Sequence, residues 1–367
     1  MTPVQAAMTK RELVSKSGQS PLISVVILNY NGAVWLQRCL DSLFQQTIFS
    51  QVQVIIADNA STDGSDQMAE ALLNSRPNGL FIQNGANLGY CEGNNCGAKA
   101  AGGRYLLFLN NDTWLEDDCL EKLVSTVEAL DADAASPLVC NYEDNSYQTM
   151  GATGFDLFGY LSTNPQPDYP RRLFIPPGCA FLVKTEAFWK VGAFDAEFFM
   201  YSDESDLGWR LTLAGFKSVT VPTARLHHRS AVAANPVGGG KIVEFRTNEM
   251  VRFFATRNSL LVLLKNAQCL LLLLAFFQIG CVFLEAFAVL ITVRRWGIVR
   301  RSYFKAMADC WRLRHHVFHE RRRIKALRQH GDFWMLRFIQ VRFGRWNDLA
   351  RLLRHGAPKV DARGVSV

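Results

Sequence analysis

The feature that most constrains this chain is a set of apolar runs, each closed by a cluster of Asn and Asp. Leu22-Ile-Ser-Val-Val-Ile-Leu28 ends at Asn29-Tyr-Asn-Gly32. Val52-Gln-Val-Ile-Ile-Ala57 ends at Asp58-Asn-Ala-Ser-Thr-Asp-Gly-Ser65, and Arg104-Tyr-Leu-Leu-Phe-Leu109 ends at Asn110-Asn-Asp112. Continuous apolar runs of this length read as strands buried on both faces. Between them, Val34 to Gln46 has helical spacing, Asp66 to Asn74 is a second helix, Leu80–Ile82 a short strand, and Gly93 to Ala101 a helix of small residues. Strands alternating with helices of this length predict βαβ units and a mainly parallel sheet. Such sheets bind ligands at the carboxyl ends of their strands, where the polar clusters fall. One Asn/Asp-rich turn is commonplace; three on the same sheet edge point to a site.

Farther along, Asn141 to Pro177 is rich in Gly, Pro and aromatics (Phe155, Phe158, Tyr160, Tyr169) and reads as an acceptor-side loop or small subdomain. Ala180–Val183 is a strand, Thr185 to Val191 a helix, Asp206 to Ala214 another helix closed by Gly215, and Lys217–Val221 a final strand. The nine cysteines are odd in number and form no C-x-x-C pair, so neither a zinc site nor a redox motif is expected, and a reducing compartment fits. Residues 1–20 have no apolar core and read as a disordered leader rather than a signal peptide.

Charge is unevenly placed. From Arg294 to Val367 there are 19 Lys and Arg against 5 Asp and Glu, a net of +14, whereas residues 1–293 carry a net of −7. The tail therefore calls for an anionic surface. No nucleic-acid-binding signature accompanies the charge, so nucleic acid is not expected as a partner. Asn266 to Leu284 is free of charge, at the lower limit of a membrane span, and has Arg on both sides. A single span would place the basic tail outside, against the positive-inside tendency. An in-plane or re-entrant element keeps both ends on the cytoplasmic face, with Trp296, Trp311, Phe318, Trp334 and Trp346 interleaved among the arginines. A helical contact in a homo-oligomer is the alternative. The resulting division is a leader over 1–20, an α/β domain over 21–258, an apolar membrane-associating segment over 259–293 and a basic helical tail over 294–367.

Seven segments in order carry a resemblance: Val25-Val-Ile-Leu-Asn-Tyr-Asn-Gly32, Asp58-Asn-Ala-Ser-Thr-Asp-Gly-Ser65, and Asn87-x-Gly89-x-x-x-Gly93-x-Asn95-x-Gly97, then Asn110-Asn-Asp112, Pro177-Gly-Cys-Ala180, Phe198-Phe-Met-Tyr-Ser-Asp-Glu-Ser-Asp-Leu207 and Pro222-x-Ala224-x-Leu226-x-His228. Over residues 21 to 265 the chain resembles the inverting family 2 glycosyltransferases of the GT-A fold, most closely their rhamnosyltransferase-like branch.

The resemblance implies a nucleotide-diphospho-sugar donor, dTDP-rhamnose or a UDP-sugar, and a glycan or lipid-linked glycan acceptor. It places Asn29, Tyr30, Asn31, Asp58, Asn59, Asp63, Asn87, Gly89, Asn95, Asn110 and Asn111 at the nucleotide, with Tyr30 stacking on the base and Asp58 accepting from it. It assigns a divalent metal, manganese or magnesium, to Asp112 and His228, with His227 as the alternative ligand. Oxygen donors suit a hard cation, and one imidazole extends the choice to manganese. The glycine-rich segment 87–97 is expected to lie close to the diphosphate. Inversion needs a general base to take the acceptor's proton, and Asp203, Glu204 and Asp206 supply the carboxylates. Relatives read Glu-Asp-x-Asp where this chain reads Asp-Glu-x-Asp, so by position Glu204 is the base, Asp203 the alternative, and Asp206 structural or acceptor-positioning. A processive synthase would carry Q-x-x-R-W, but Arg295-Trp296 and Arg345-Trp346 lack the Gln. A non-catalytic nucleotide-sugar-binding scaffold is the remaining alternative.

Overall fold

The computed structural model describes residues 20–156, 161–162, 166–229, 246–340 and 359–360. The expected leader up to residue 19, Phe158, Tyr160 and most of the tail beyond 340, including Trp346, lie outside them.

The first half follows the expected alternation: β1 (Ile23–Asn29), α1 (Leu36–Phe44), β2 (Val52–Asp58), α2 (Ser65–Asn74), β3 (Gly79–Gln83), α3 (Gly89–Lys99) and β4 (Tyr105–Asn110). There follow β5 (Thr113–Leu115), α4 (Cys119–Ala129), β6 (Ala134–Asn141), β7 (Tyr147–Thr149), β8 (Gly154–Asp156), β9 (Leu161–Ser162), β10 (Arg172–Leu173), β11 (Ala180–Lys184), α5 (Thr185–Lys190), α6 (Asp203–Leu213) and β12 (Ser218–His228). The sheet order is β10-β12-β6-β11-β4-β1-β2-β3, with β5 on β12 and β7 on β6. β3, β2, β1 and β4 run parallel, and β11 then enters antiparallel between β4 and β6. The parallel half is as expected; the second half is mixed. The whole is a GT-A-like α/β fold.

Alternation along the strands builds two cores. Ile23, Val25 and Ile27 pack with Leu36, Leu40 and Leu43 of α1 and with α2 and α4. Val26, Leu106 and Phe108 face the other way, onto α3, α5 and α6. Gly97 makes the second contact tight: a Cβ there would lie 2.5 Å from Val26 Cγ1, and one at Gly93 would strike Leu28. These glycines therefore let a helix lie directly on the sheet.

Two elements differ from expectation near prolines. β6, which carries Pro137, was not read from the sequence. The final strand was expected to stop at Val221, before Pro222; instead β12 bulges between Val221 and Arg225 and continues to His228. Pro137 pairs with Val221 at that bulge, so a missing N–H falls where the ladder is already interrupted.

The C-terminal part is helical. β13 (Arg246–Thr247) precedes α7 (Glu249–Asn266), α8 (Leu273–Val293), α9 (Trp296–Val299), α10 (Lys305–Arg312), α11 (Arg314–Leu327) and α12 (Asp332–Met335). Short strands β14 (Ile339–Gln340) and β15 (Lys359–Val360) pair with β8 and β13. The boundary read at residue 258 falls inside α7, whose Leu260 to Leu263 belong to the same core as α6. All nine cysteines are free thiols, as their spacing implied.

Candidate active site

The carboxyl ends of β1 and β2 are joined by a polar lattice. Asn29 is fully buried and donates from Nδ2 to Asp58 Oδ1 (2.7 Å), Ser61 Oγ (3.1 Å) and Ser65 Oγ (2.9 Å). Its Oδ1 accepts from Asn111 Nδ2 at 2.9 Å, which ties the β1 loop to the end of β4. Gly32 permits that approach, since a Cβ there would collide with Asn111 Nδ2. Asn31 Oδ1 accepts from Thr62 N (2.8 Å), and Asp63 accepts from Ala33 N (2.9 Å) and Ser65 Oγ (2.6 Å). Asp63 is held below the ordinary carboxylate range because these bonds outweigh burial.

Asp58 is wholly buried and takes four donors: Asn29 and the Ser61 hydroxyl on Oδ1, and the Ser61 amide and Gln83 on Oδ2. A carboxylate offers about four acceptor positions. Accepting from a base therefore requires one of these donors to leave, and the lattice makes Asp58 the pocket's anchor. Tyr30 lies half-buried at the β1 exit.

Three expected contacts are placed elsewhere. Both ends of the Asn95 amide bind the Phe194 peptide, at 2.9 and 3.1 Å, which locks α3 to that loop. Gly89, in the left-handed region at φ +75°, faces Phe199, and a Cβ there would lie 2.5 Å from its ring. Gly93 and Gly97 face the sheet. The glycine run thus packs closely against the sheet and Phe199. Asn59 and Asn87 brace the same segment: Asn59 Nδ2 donates to Asn87 Oδ1 and Gly89 O, and Asn87 Oδ1 accepts from Gly89 N.

The extended β12 brings His228 to Asp112. His228 Nε2 lies 3.3 Å from Asp112 Oδ1 and 3.5 Å from Asn110 Nδ2. Asp112 Oδ1 is buried and accepts no hydrogen bond of good geometry. His228 Nδ1 donates to Gln148 Oε1 at 2.8 Å, and the Gln148 amide is held by Asn141 Oδ1. Burial opposes charge on this ring, but Cys179 and Asp112 outweigh it and raise His228 to about 10. His227 points to the opposite face, stacked on Trp114 at 3.7 Å and near Glu116. Of the two histidines only His228 stands beside Asp112.

The carboxylates follow at the start of α6. Asp203 is buried, whereas Glu204 is half-buried with its Oε2 beside Gly178, 3.9 Å from where a Cβ would sit. Burial and the adjacent Glu204 charge push Asp203 well above the usual range, and burial pushes Glu204 up as well. Such a pair holds one proton between its members more readily than it ionises twice.

Asp206 is withdrawn from this chemistry. Although grouped with the catalytic carboxylates, it is 1% exposed and held by Arg210 Nε (2.9 Å), Lys265 Nζ (3.1 Å) and Asn266 Nδ2 (2.8 Å). It is structural, and its cations keep it below the ordinary range against burial.

The 177–180 segment links the two halves of the site. Cys179 O accepts from Asn110 N at 2.9 Å, and Gly178 O accepts from Tyr90 Oη at 2.8 Å. Ser61, Ser65, Gln148 and Tyr90 were not singled out in the sequence. Ser61 and Ser65 lay inside a quoted motif; Gln148 and Tyr90 carried no local signal.

The chain is similar to known proteins over this region. The profile of glycosyl transferase family 2 matches residues 24–192. The N-acetylglucosaminyl-diphospho-decaprenol L-rhamnosyltransferase of Mycobacterium tuberculosis is 30% identical over 239 residues, covering 57% of this chain and 76% of that protein. The putative glycosyltransferase EpsH of Bacillus subtilis is 27% identical over 156 residues, 42% of this chain and 44% of its own length. In fold, the chain is similar to a crystal structure of GalNAc-T7 with UDP, GalNAc and Mn2+, at a TM-score of 0.50 and 20% identity; the match covers 57% of this chain and 44% of that one. The family profile and these relatives mark the chain as a sugar-transferring enzyme. The chain belongs to glycosyltransferase family 2, and its similarity extends to a rhamnosyltransferase.

Proposed function

We propose that the chain moves one sugar, with inversion, from a nucleoside diphosphate donor to a hydroxyl of a lipid-linked or cell-surface glycan at the cytoplasmic face of a membrane. What supports this reading is the segment 177–180, whose Cys179 carbonyl accepts from Asn110 N, near Asp112 and His228, and whose Gly178 lies beside the Glu204 carboxylate.

Asp112 and His228 would hold a manganese or magnesium ion, whose chemistry when bound is to neutralise the departing diphosphate. Asp112 Oδ1, which accepts no hydrogen bond of good geometry, and His228 Nε2, 3.3 Å from it, fit such an ion once the ion displaces the His228 proton that Asp112 otherwise favours. No group of three or more His, Cys, Asp or Glu among the described residues could hold a metal, so donor oxygens and water would complete the shell. Tyr30 and the Asn29–Asn31 loop take the nucleoside, with Asn110 and Asn111 beside the ribose and phosphates. Glu204, half-buried beside Gly178, takes the proton of the acceptor hydroxyl. Asp203 keeps the shared proton and orients Glu204.

A deoxy-sugar donor such as dTDP-rhamnose and a polyprenyl-diphosphate acceptor are suggested by the mycobacterial relative's name. Calorimetry tests the metal assignment: Asp112→Ala should abolish manganese-dependent binding of UDP or dTDP while the melting temperature stays near wild type. Unchanged affinity would remove Asp112 from the site.

The membrane reading rests on α8. Leu273–Thr292 is long and apolar enough to cross a membrane, with mean hydropathy 2.2. Val282, Ala286 and Val289 pack on Ile298, Val299 and Tyr303, while Phe276, Phe277, Leu284 and Phe287 are bare at 62–70% exposure. A helix covered by protein on one side and apolar on the other suits in-plane burial among lipid chains. Changing Phe276, Phe277 and Phe287 together to Ser should shift the protein from membrane to soluble fractions. An unchanged distribution at low and high salt would leave these side chains to a protein contact. Removing the whole tail is the poorer test, because His316 of α11 binds Asp195 at 2.9 Å beside the catalytic helix.

A further inference from the structure

The turn that delivers Asp203 and Glu204 has an unusual backbone. Phe199, Tyr201 and Ser202 all sit at positive φ, +62°, +68° and +58°, and none is glycine. L-residues adopt this region reluctantly, and three within four positions persist only if the surroundings hold them. The holding groups come from α7, outside the span matched by the family profile. Asn258 is fully buried, and its Nδ2 lies within hydrogen-bond distance of the carbonyls of Phe198 (2.9 Å), Met200 (2.7 Å) and Tyr201 (2.8 Å), which share its two hydrogens. Arg257 donates from Nη2 to the carbonyls of Glu197 (2.6 Å) and Phe198 (3.1 Å). Its Nε fixes Asn258 Oδ1 at 2.9 Å, and its Nη1 meets Asp309 of α10 at 2.8 Å. Phe254 stacks on Phe199 at 5.3 Å, one turn earlier on the same helix. Two turns later, Lys265 and Asn266 reach Asp206 from the same helix.

We propose that Arg257 and Asn258 are positioning residues for the reaction. They clamp the strained 199–202 turn and so set where the Glu204 carboxylate stands, which makes α7 part of the active site rather than of the membrane appendage. A polar side chain packed merely for stability would satisfy one or two carbonyls wherever the chain passed. These two side chains converge on every carbonyl from Glu197 to Tyr201 except that of Phe199, which accepts from Cys91 N at 3.1 Å. With each peptide of the turn tied from outside, its strained conformation does not relax. Misplacing a catalytic group by about 1 Å costs on the order of 100-fold in rate, so loosening this turn should act on turnover.

The inference rests on Glu204 as the base, and its test separates the two claims. Asn258→Ala should speed amide exchange across residues 199–204 at least tenfold, leaving the strands β1 to β4 protected. It should lower sugar-transfer turnover at least tenfold while the affinity for UDP or dTDP with manganese stays within twofold. Unchanged exchange over 199–204 together with turnover within twofold of wild type would overturn the clamp. If Asn258→Ala does not fold, Arg257→Lys carries the same criteria, because it keeps a cation near Asp309 but loses the fork that reaches two carbonyls. If Glu204→Gln is also fully active, the base assignment falls while the exchange result still reports on the clamp. If Glu204→Gln is inactive and Asn258→Ala is normal, the clamp alone falls.

Discussion

Glu204→Gln is expected to lower turnover by about 10²–10⁴, the usual contribution of a general base, with nucleoside diphosphate affinity unchanged. The amide keeps the shape of the side chain but accepts no proton. The proposed donor site lies at the ends of β1, β2 and β4, which this change leaves alone. A loss confined to turnover marks an interaction made only in the transition state. Asp203→Asn should slow the reaction less, because an amide can still donate a hydrogen bond to Glu204. The same variant should be more stable than wild type at neutral pH. Asp203 has a raised pKa in the folded chain, so its contribution to stability is complete below the unfolded value near 3.8 and is lost as pH rises through the folded value. The gain from Asn should therefore vanish in acid. Turnover should fall in acid too, along a limb lying above 4.5, because burial has raised Glu204.

The largest stability effect is expected at Lys265→Met. Lys265 is 1% exposed, ion-paired to Asp195 and within 3.1 Å of Asp206. Removing it leaves two buried carboxylates with less compensation than they need. Breaking a buried pair in this way costs about 3–5 kcal/mol. At roughly 2–4 °C per kcal/mol for a domain of this size, the melting temperature should drop on the order of 10 °C. Asp206 is held below its ordinary value by Arg210 and Lys265 against burial. A depressed carboxylate contributes stability above its unfolded pKa and loses it as pH falls. The deficit of Lys265→Met should therefore shrink below pH 3.8, which melting curves at several pH values will show. An equal deficit at all pH values would mean that Lys265 acts through packing alone.

Much of this molecule is legible in the sequence because two signals coincide there. Buried runs at 22–28, 52–57 and 104–109 mark parallel strands, and the Asn and Asp after each mark the polar sheet edge where the candidate site lies. Legibility fails where one residue type answers two needs. Glycine at 89, 93 and 97 suits a phosphate cradle and a close helix–sheet contact equally, and only the structure shows their packing on Val26, Leu28 and Phe199. Asn95 and Asp206 look like site residues by type, but each has its polar atoms bound within the protein. In the sequence Asp203, Glu204 and Asp206 are neighbouring carboxylates told apart only by the resemblance; in the structure Asp203 is buried, Glu204 half-buried, and Asp206 held by Arg210, Lys265 and Asn266. The role of Arg257 and Asn258 has no local signature, because their partners lie about 60 residues earlier and are backbone carbonyls. Proline misled at 222, which marks a strand irregularity rather than a strand end.

The most direct test of the account is the stereochemistry of transfer. The donor is the nucleotide sugar that, with manganese, most raises the melting temperature, since selective binding stabilises the fold by mass action. It is supplied with a polyprenyl-diphosphate-linked N-acetylglucosamine acceptor, and the anomeric configuration of the new linkage is read by NMR. A single displacement aided by Glu204 predicts a configuration opposite to that of the donor, and no product from Glu204→Gln. Retention of configuration, or undiminished product from Glu204→Gln, would contradict it.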